Sequence, residues 1–225
     1  MKKIAVYTAV YGDKDEVKEP LQQTVDCDYF LFTEPKYYEI DKGWQIIGGY
    51  VKPFKTPRMK AKWWKIYPYE SIIADYDYSV WIDGHIEFLR EDTVEFLLGS
   101  IKNGFTAFRH PEINCIYEEY NNIGRKHRWG NSANQTLARR QLDRYKKEGY
   151  PENNGMWAGG ILVRDMKSKK AEEMSRKWWR QILGGSTRDQ LSLPYVCWKM
   201  KYKPGKFMLN NRDNEYILYN GHKIE

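Results

Sequence analysis

Residues 76–89 read YDYSVWIDGHIEFL, and this stretch decides the fold class. Tyr78, Val80 and Ile82, then Ile86 and Phe88, recur at period two, and the types are aromatic or β-branched, so the spacing predicts a largely buried strand. Asp83, Gly84 and His85 interrupt it. A carboxylate and an imidazole two residues apart can reach one metal ion if the chain turns at the glycine between them, because glycine accepts backbone angles that other residues resist. The same three residues also read as plain turn chemistry with a surface histidine.

Upstream, residues 3–11 (KIAVYTAVY) form a short apolar run ending at Gly12-Asp13, which predicts a first strand running into a loop. In an open α/β sheet ligands bind beyond the carboxyl ends of strands, so Thr8, Ala9, Tyr11 and Gly12 are candidates to touch a nucleotide. Residues 29–33 predict a second strand and residues 44–51 a third, with a glycine bulge at Gly48-Gly49. Thr56-Pro57 starts a helix, Thr as N-cap and Pro at the first helical position, that runs to about Tyr67. Met59, Trp63 and Ile66 share one stripe of it. Arg58, Lys62 and Lys65 share another, either a solvated basic face or cations that reach a diphosphate.

Downstream, residues 93–101 predict a helix and 105–108 a strand leading to Arg109-His110-Pro111, where His110 is either a ligand or, beside proline, a loop residue holding backbone carbonyls. The run CIYEEY predicts at least a helical turn. Ser132 and Gln135 have the form of a capping box, opening a helix whose inner face is Leu137, Ala138, Leu142 and Tyr145 and which ends at Gly149. In PENNGMWAGGILVRD, residues 151–165, Ile161, Leu162 and Val163 make a buried strand. The small residues before it, Ala158-Gly159-Gly160, permit close approach of a ligand or form a tight turn. A helix over 169–183 places Met174, Trp178 and Ile182 inward. Ser186 then caps another, with Asp189 at its third position. The tail alternates around residues 216–219 and ends in Asn220-Gly221-His222-Lys223.

The 225 residues contain no Pro/Gly/Ser-rich linker, so one domain with a substantial core is expected. The net charge of +7 suits an anionic partner such as a nucleotide diphosphate, an acidic glycan, nucleic acid or a membrane surface. Aromatic residues at 16% suit stacking on planar rings or sugars. Cys27, Cys115 and Cys197 lie far apart with no CxxC and an odd total, which indicates neither a zinc knuckle nor a disulfide framework and makes a cytoplasmic location the default expectation. The apolar run after Lys2-Lys3 is too short for a signal peptide, and nothing is long enough for a transmembrane segment.

The order of YTAVYGDKD, AKWWKIYPYE, YDYSVWIDGHIEF, FRHP with CIYEE, EGYPENNGMWAGGILVR and STRDQLSLPYV resembles a GT-A type glycosyltransferase, and more closely the glycosyltransferase-like domain family known by the plant names TOD and MUCI. The resemblance implies a single-domain α/β fold over residues 1–225, a Rossmann-like mixed sheet flanked by helices. A nucleotide-binding half would cover about 1–110 and an acceptor-side half about 111–225. GT-A enzymes usually carry Asp-x-Asp after the fourth strand, holding Mn²⁺ or Mg²⁺ against a sugar-nucleotide diphosphate. This chain has Asp83-Gly84-His85, and imidazole favours Mn²⁺ over Mg²⁺. Alternatively the enzyme is metal-independent, with Arg58, Lys62 or Lys65 neutralising the diphosphate.

Glycogenin-like relatives complete the metal and diphosphate site with a histidine near the C-terminus, to which His222 with Lys223 is similar. The resemblance likewise places Gly159 against the donor and gives Asp189 and Gln190 the role of holding the transferred sugar. The implied activity is transfer of a sugar from a nucleotide-diphosphate sugar, expected to be a UDP-sugar, to an acceptor hydroxyl. The acceptor could be a glycan, a lipid-linked sugar, a protein or a nucleic acid. Two other classes stay open: a nucleotidyltransferase, and a non-catalytic binding protein for anionic glycan or nucleic acid. Donor sugar, stereochemistry and oligomeric state have no signature in the sequence.

Overall fold

A computed structural model of the chain describes residues 2–12, 18–34, 43–48, 54, 56–125 and 130–220. The central stretch forms β4 (Tyr78–Ile82), a turn through Asp83, Gly84 and His85, and β5 (Ile86–Phe88). These are two strands of two sheets rather than one interrupted strand: β5 leaves the main sheet and pairs antiparallel with β9 (Ile217–Tyr219). Gly84 is not among the glycines with positive φ, so the turn needs no left-handed residue there.

The main sheet has seven strands. They are β1 (Ile4–Val10), β2 (Asp28–Thr33), β3 (Gln45–Gly48), β4, β6 (Phe105–Arg109), β7 (Trp157–Asp165) and β8 (Gly205–Lys206), in the order β3-β2-β1-β4-β7-β6-β8. The first four are mutually parallel, and β7 runs antiparallel to both β4 and β6. All seven residues of β1 are buried, as expected of a central strand covered on both faces. From β1 the chain moves outward to β2 and β3 and then returns to β4 on the other side. The strand order therefore reverses between β1 and β4, the place where open α/β sheets bind ligands beyond their carboxyl ends.

Five helices cover one face: α1 (Pro57–Ile66), α3 (Ile116–Arg125), α4 (Ser132–Lys147), α5 (Lys169–Leu183) and α6 (Asp189–Lys199). The other face is covered by α2 (Thr93–Gly99) and the β5–β9 ribbon. Local chemistry sets the helix starts. Thr56 Oγ1 accepts from the Met59 N–H at 3.3 Å with Pro57 next to it, and Ser168 Oγ accepts from Ala171. Met174, Trp178 and Ile182 of α5 all face inward. Among the described residues, no helix is long and apolar enough to cross a membrane.

Several expectations are corrected. The cap of α4 is Asn131, whose Oδ1 accepts from Asn134 N–H at 2.8 Å, so Ser132 is the first helical residue and no capping box forms. Leu137 is exposed, and the inner face is completed by Gln141 instead. His110 holds amides, not carbonyls: its Nδ1 accepts from the N–H groups of Glu112 and Ile113. The β2–β3 register runs unbroken to Gly48, and Gly49 lies outside the described residues.

Ala158, Gly159 and Gly160 lie inside β7 rather than in a turn before it. They sit at a bulge: Ala107 pairs with Leu162 and Phe108 with Ala158, leaving residues 159–161 without a partner on β6. A Cβ on Gly160 would lie 2.7 Å from Ile86 Cδ1 and 2.8 Å from the Tyr219 hydroxyl, on the β5–β9 ribbon. Gly160→Ala should therefore cost about 1–3 kcal/mol in urea denaturation. Gly99→Ala, at a helical position with open space around it, should be neutral or stabilising by about 0.5–1 kcal/mol. Equal midpoints for the two variants would show that the ribbon does not press on β7.

Candidate active site

The bulge on β7 faces the carboxyl end of β4, and the two are tied by the Asp83 N–H donating to the Gly160 carbonyl at 2.8 Å. This places the Asp83 side chain beside α1. Asp83 Oδ1 accepts from Lys65 Nζ at 2.9 Å and from the Trp81 indole at 2.8 Å. Lys65 Nζ also lies 3.2 Å from Asp189 Oδ2, and Lys62 Nζ lies 2.6 Å from the same oxygen. Two lysines one helical turn apart thus meet two carboxylates from two different elements. Gly159 makes the approach possible, since a Cβ there would come within 3.1 Å of Lys65 Nζ and 3.4 Å of Asp189 Oδ2.

Two of the three cations of the α1 stripe, Lys62 and Lys65, therefore turn into the protein, while Arg58 stays exposed. The Lys65 side chain is 5% exposed, Lys62 19% and Asp189 7%, whereas Asp83 is 28% exposed and opens toward solvent. Burial alone would push the Asp189 carboxyl up, but Lys62 and Lys65 outweigh it and hold the group well below the usual carboxylate range. Burial also works against the Lys65 ammonium, and Asp189 with Asp83 more than compensates, raising it. For Lys62 the balance goes the other way. Burial and neighbouring Lys65 pull it down to about 8 despite Asp189.

Asp189 is the first residue of α6, not the third, and Ser186 is not the cap. The loop before it is gripped by the polar inner face of α4: Ser186 N–H donates to Gln141 Oε1 at 2.9 Å and Thr187 N–H to Asn134 Oδ1 at 2.9 Å. The Asp189 carbonyl accepts from the Trp178 indole at 3.0 Å. Gln190 Nε2 donates to the Trp157 carbonyl at 3.2 Å, so this amide braces β7. Arg188 pairs with buried Glu119 at 3.5 Å. Arg58 is held down by burial and by the nearby Arg188 charge, which leaves two guanidinium groups facing the same region.

The remaining candidates are placed less uniformly. Thr8 and Ala9 are buried within β1. Tyr11 accepts from the Trp64 indole at 2.9 Å and lies under Lys60, and the Gly12 N–H donates to Glu34 at 2.9 Å. The His85 ring lies 5.9 Å from that of Tyr219. His222 and Lys223 lie outside the described residues. Among the described residues, no three His, Cys, Asp or Glu side chains gather as metal ligands. Asp83 and His85 flank Gly84 in the turn after β4, and Asp83 Oδ1 is already held by Lys65 and Trp81.

Arg164, Glu119, Asn134 and Gln141 were not anticipated as supports of the site. Arg164 had a signal, a lone cation inside the apolar run ILVRD. The others lie on helices whose faces only the packing defines. The family model described as TOD1/MUCI70, glycosyltransferase-like domain matches residues 1–220, and the chain belongs to that family. No curated protein matches the chain.

The buried pairs make a pH prediction. The Asp189 carboxyl is lowered by folding, so its contribution to stability is present above its unfolded value near 4 and is lost as pH falls below it. Asp189→Asn should cost roughly 3–5 kcal/mol at pH 7, because two buried ammonium groups lose their shared partner. In urea titrations the gap from the parent should shrink by about 1.4 kcal/mol for each pH unit below 4. A gap constant from pH 7 to pH 2 would show that Asp189 is not ionised against these lysines.

Proposed function

We propose that this member of the TOD1/MUCI70 family transfers a sugar from a nucleotide-diphosphate sugar, a UDP-sugar in the first instance, to an acceptor hydroxyl. The observation that carries the reading is the Asp83–Lys65–Asp189–Lys62 network at the carboxyl end of β4, set against Gly159. Such a transfer needs the charge on the leaving diphosphate neutralised, the anomeric carbon held, and the acceptor hydroxyl brought close.

Lys62, at the edge of the network, and the adjacent Arg58 and Arg188 supply cations for the first task. The nucleotide would lie beyond the ends of β1 and β4, near Tyr11 and Gly12. Asp83 and His85 would hold a divalent metal, Mn²⁺ or Mg²⁺, together with the phosphates, and that ion would act as a Lewis acid on the leaving oxygen. Asp189 faces the small-residue wall at Gly159, where its negative charge would stabilise positive charge developing at the anomeric carbon. Gln190 keeps that wall in place.

The test is a panel of nucleotide sugars with product analysis. The reading expects nucleoside diphosphate and a transferred or hydrolysed sugar, and Asp83→Asn is expected to lower turnover by a hundredfold or more, on the order of losing one transition-state contact. Release of pyrophosphate would indicate nucleotidyl transfer instead. Salt-sensitive binding of an anionic polymer without turnover of any donor would indicate a binding protein.

A pH–rate profile adds a sharper check. Lys62 carries its charge only below about 8, so kcat/KM should fall as pH rises through that value. Lys62→Arg, a cation at every accessible pH, should displace this alkaline limb upward even if its overall rate is lower. The same limb in Lys62→Arg would assign it to another group.

A further inference from the structure

Two residues before Gly159, and on the same face of β7, stands Trp157. The Arg109 guanidinium, from the last residue of β6, lies 3.9 Å from the centroid of the Trp157 ring. A Cβ at Gly155 would sit 2.3 Å from Arg109 Nη1, and Gly155 has φ +91°, so only glycine there lets the guanidinium take this position. Among the described residues no carboxylate pairs with Arg109. Glu112, which shares its cleft, is engaged with Arg212 at 2.8 Å.

The cleft is a cavity of about 510 Å³ whose walls include Arg109, His110, Asn114, Asn153 and Asn154. Hydrogen bonds fix those walls. Gly155 N–H donates to the Asn114 carbonyl at 2.9 Å, and Asn114 Nδ2 donates to the Asn153 carbonyl at 3.0 Å. His110 Nδ1 accepts the backbone N–H groups of Glu112 and Ile113, which fixes the ring at the cleft wall. Burial pulls the Arg109 pKa down, and what opposes it is only the Cys197 thiol and the Tyr150 hydroxyl. A partly desolvated guanidinium with no counter-charge among the described residues is complementary to an oxyanion.

We propose that this cleft binds the oxyanion, a carboxylate or a phosphate monoester, of an acidic sugar that serves as the acceptor. Arg109 anchors the charge, and the buried Trp157 ring behind it holds the guanidinium in place. Trp157 and Gly159 are about 7 Å apart along the strand, so a sugar held at Arg109 lies within about one ring of the Lys65–Asp189 pair. As an acceptor subsite the cleft rests on the transfer reading above. As an oxyanion site it stands on the Arg109 geometry by itself.

The experiment is an NMR titration of the full chain, following the Trp157 indole and Arg109 guanidinium resonances, with glucuronate, glucose 6-phosphate, glucose and inorganic phosphate at one ionic strength. The acidic sugars should move both resonances saturably, the tighter of the two identifying carboxylate or phosphate as the source of the charge, and glucose should bind at least about tenfold more weakly. Arg109→Gln should weaken the acidic sugars by a similar factor, with Arg109→Lys in between because it keeps charge but not the planar fork. Gly155→Ala should lose binding by displacing the guanidinium, and the melting temperature of each variant reports whether it folds.

Glucose binding as tightly as the acids, or parental affinity in Arg109→Gln, would overturn the proposal. So would inorganic phosphate binding as tightly as the sugar phosphate, or the absence of any saturable shift. No nucleotide enters the titration. A chain that turned over no donor would sink the transfer reading and leave this result standing.

Discussion

Lys65 is held at both ends, and the geometry of the site follows from that. Its carbonyl, in the last turn of α1, accepts from Arg164 Nη2 at 2.7 Å, while its ammonium lies between Asp83 and Asp189. Arg164 is wholly buried, reaches the Tyr7 hydroxyl of β1 at 3.2 Å, and lies over the Phe105 ring of β6. One guanidinium thus meets the negative end of a helix and ties it to three strands. Removing either partner of such a buried contact would leave an uncompensated group, so the network is expensive to disturb. The candidate site is in this sense part of the core.

The bulge explains why the site is where it is. A regular β6–β7 ladder would bring β6 alongside Gly159 and Gly160. With residues 159–161 skipped, the strand is free to present its glycines, one toward the Lys65–Asp189 pair and the next toward the β5–β9 ribbon. The same irregularity lets Phe108 and Arg109 resume pairing at Ala158 and Trp157, which sets Arg109 over Trp157. Both proposed sites therefore hang on one strand and one local defect of its pairing.

How far the sequence carried depended on whether the cause was local. Period-two patterning revealed β4, short apolar runs revealed β1 and β2, and Thr56-Pro57 and the Met174–Trp178–Ile182 spacing revealed α1 and α5, because those signals lie within a few residues. Glycine pairs were ambiguous: Ala158-Gly159-Gly160 resembles a turn locally, and only pairing with β4 and β6 makes it strand. The two-residue β8 carries no pattern that could announce it. Asp83, Lys62, Lys65 and Asp189 were each singled out, yet nothing in one dimension could show that residues from α1, β4 and α6 meet at one point. The supports, Arg164 above all, were missed because a buried charge is legible only once its partners are known.

The two lysines of the network are not equivalent, and the difference bears on how a charged ligand would be received. Four cations, Arg58, Lys62, Lys65 and Arg188, stand near three carboxylates, Asp83, Asp189 and Glu119. Lys65 touches two carboxylates, is almost fully enclosed, and has its backbone fixed by Arg164, so moving it would uncover both acids at once. Lys62 touches Asp189 alone, is more exposed, and carries a proton that burial and Lys65 already loosen. An arriving diphosphate would therefore draw Lys62 toward itself while Lys65 stays to neutralise Asp189 and Asp83. On the proposed reading, that division of labour would keep Asp189 ionised at Gly159 and free one ammonium for the phosphates, using two side chains one helical turn apart.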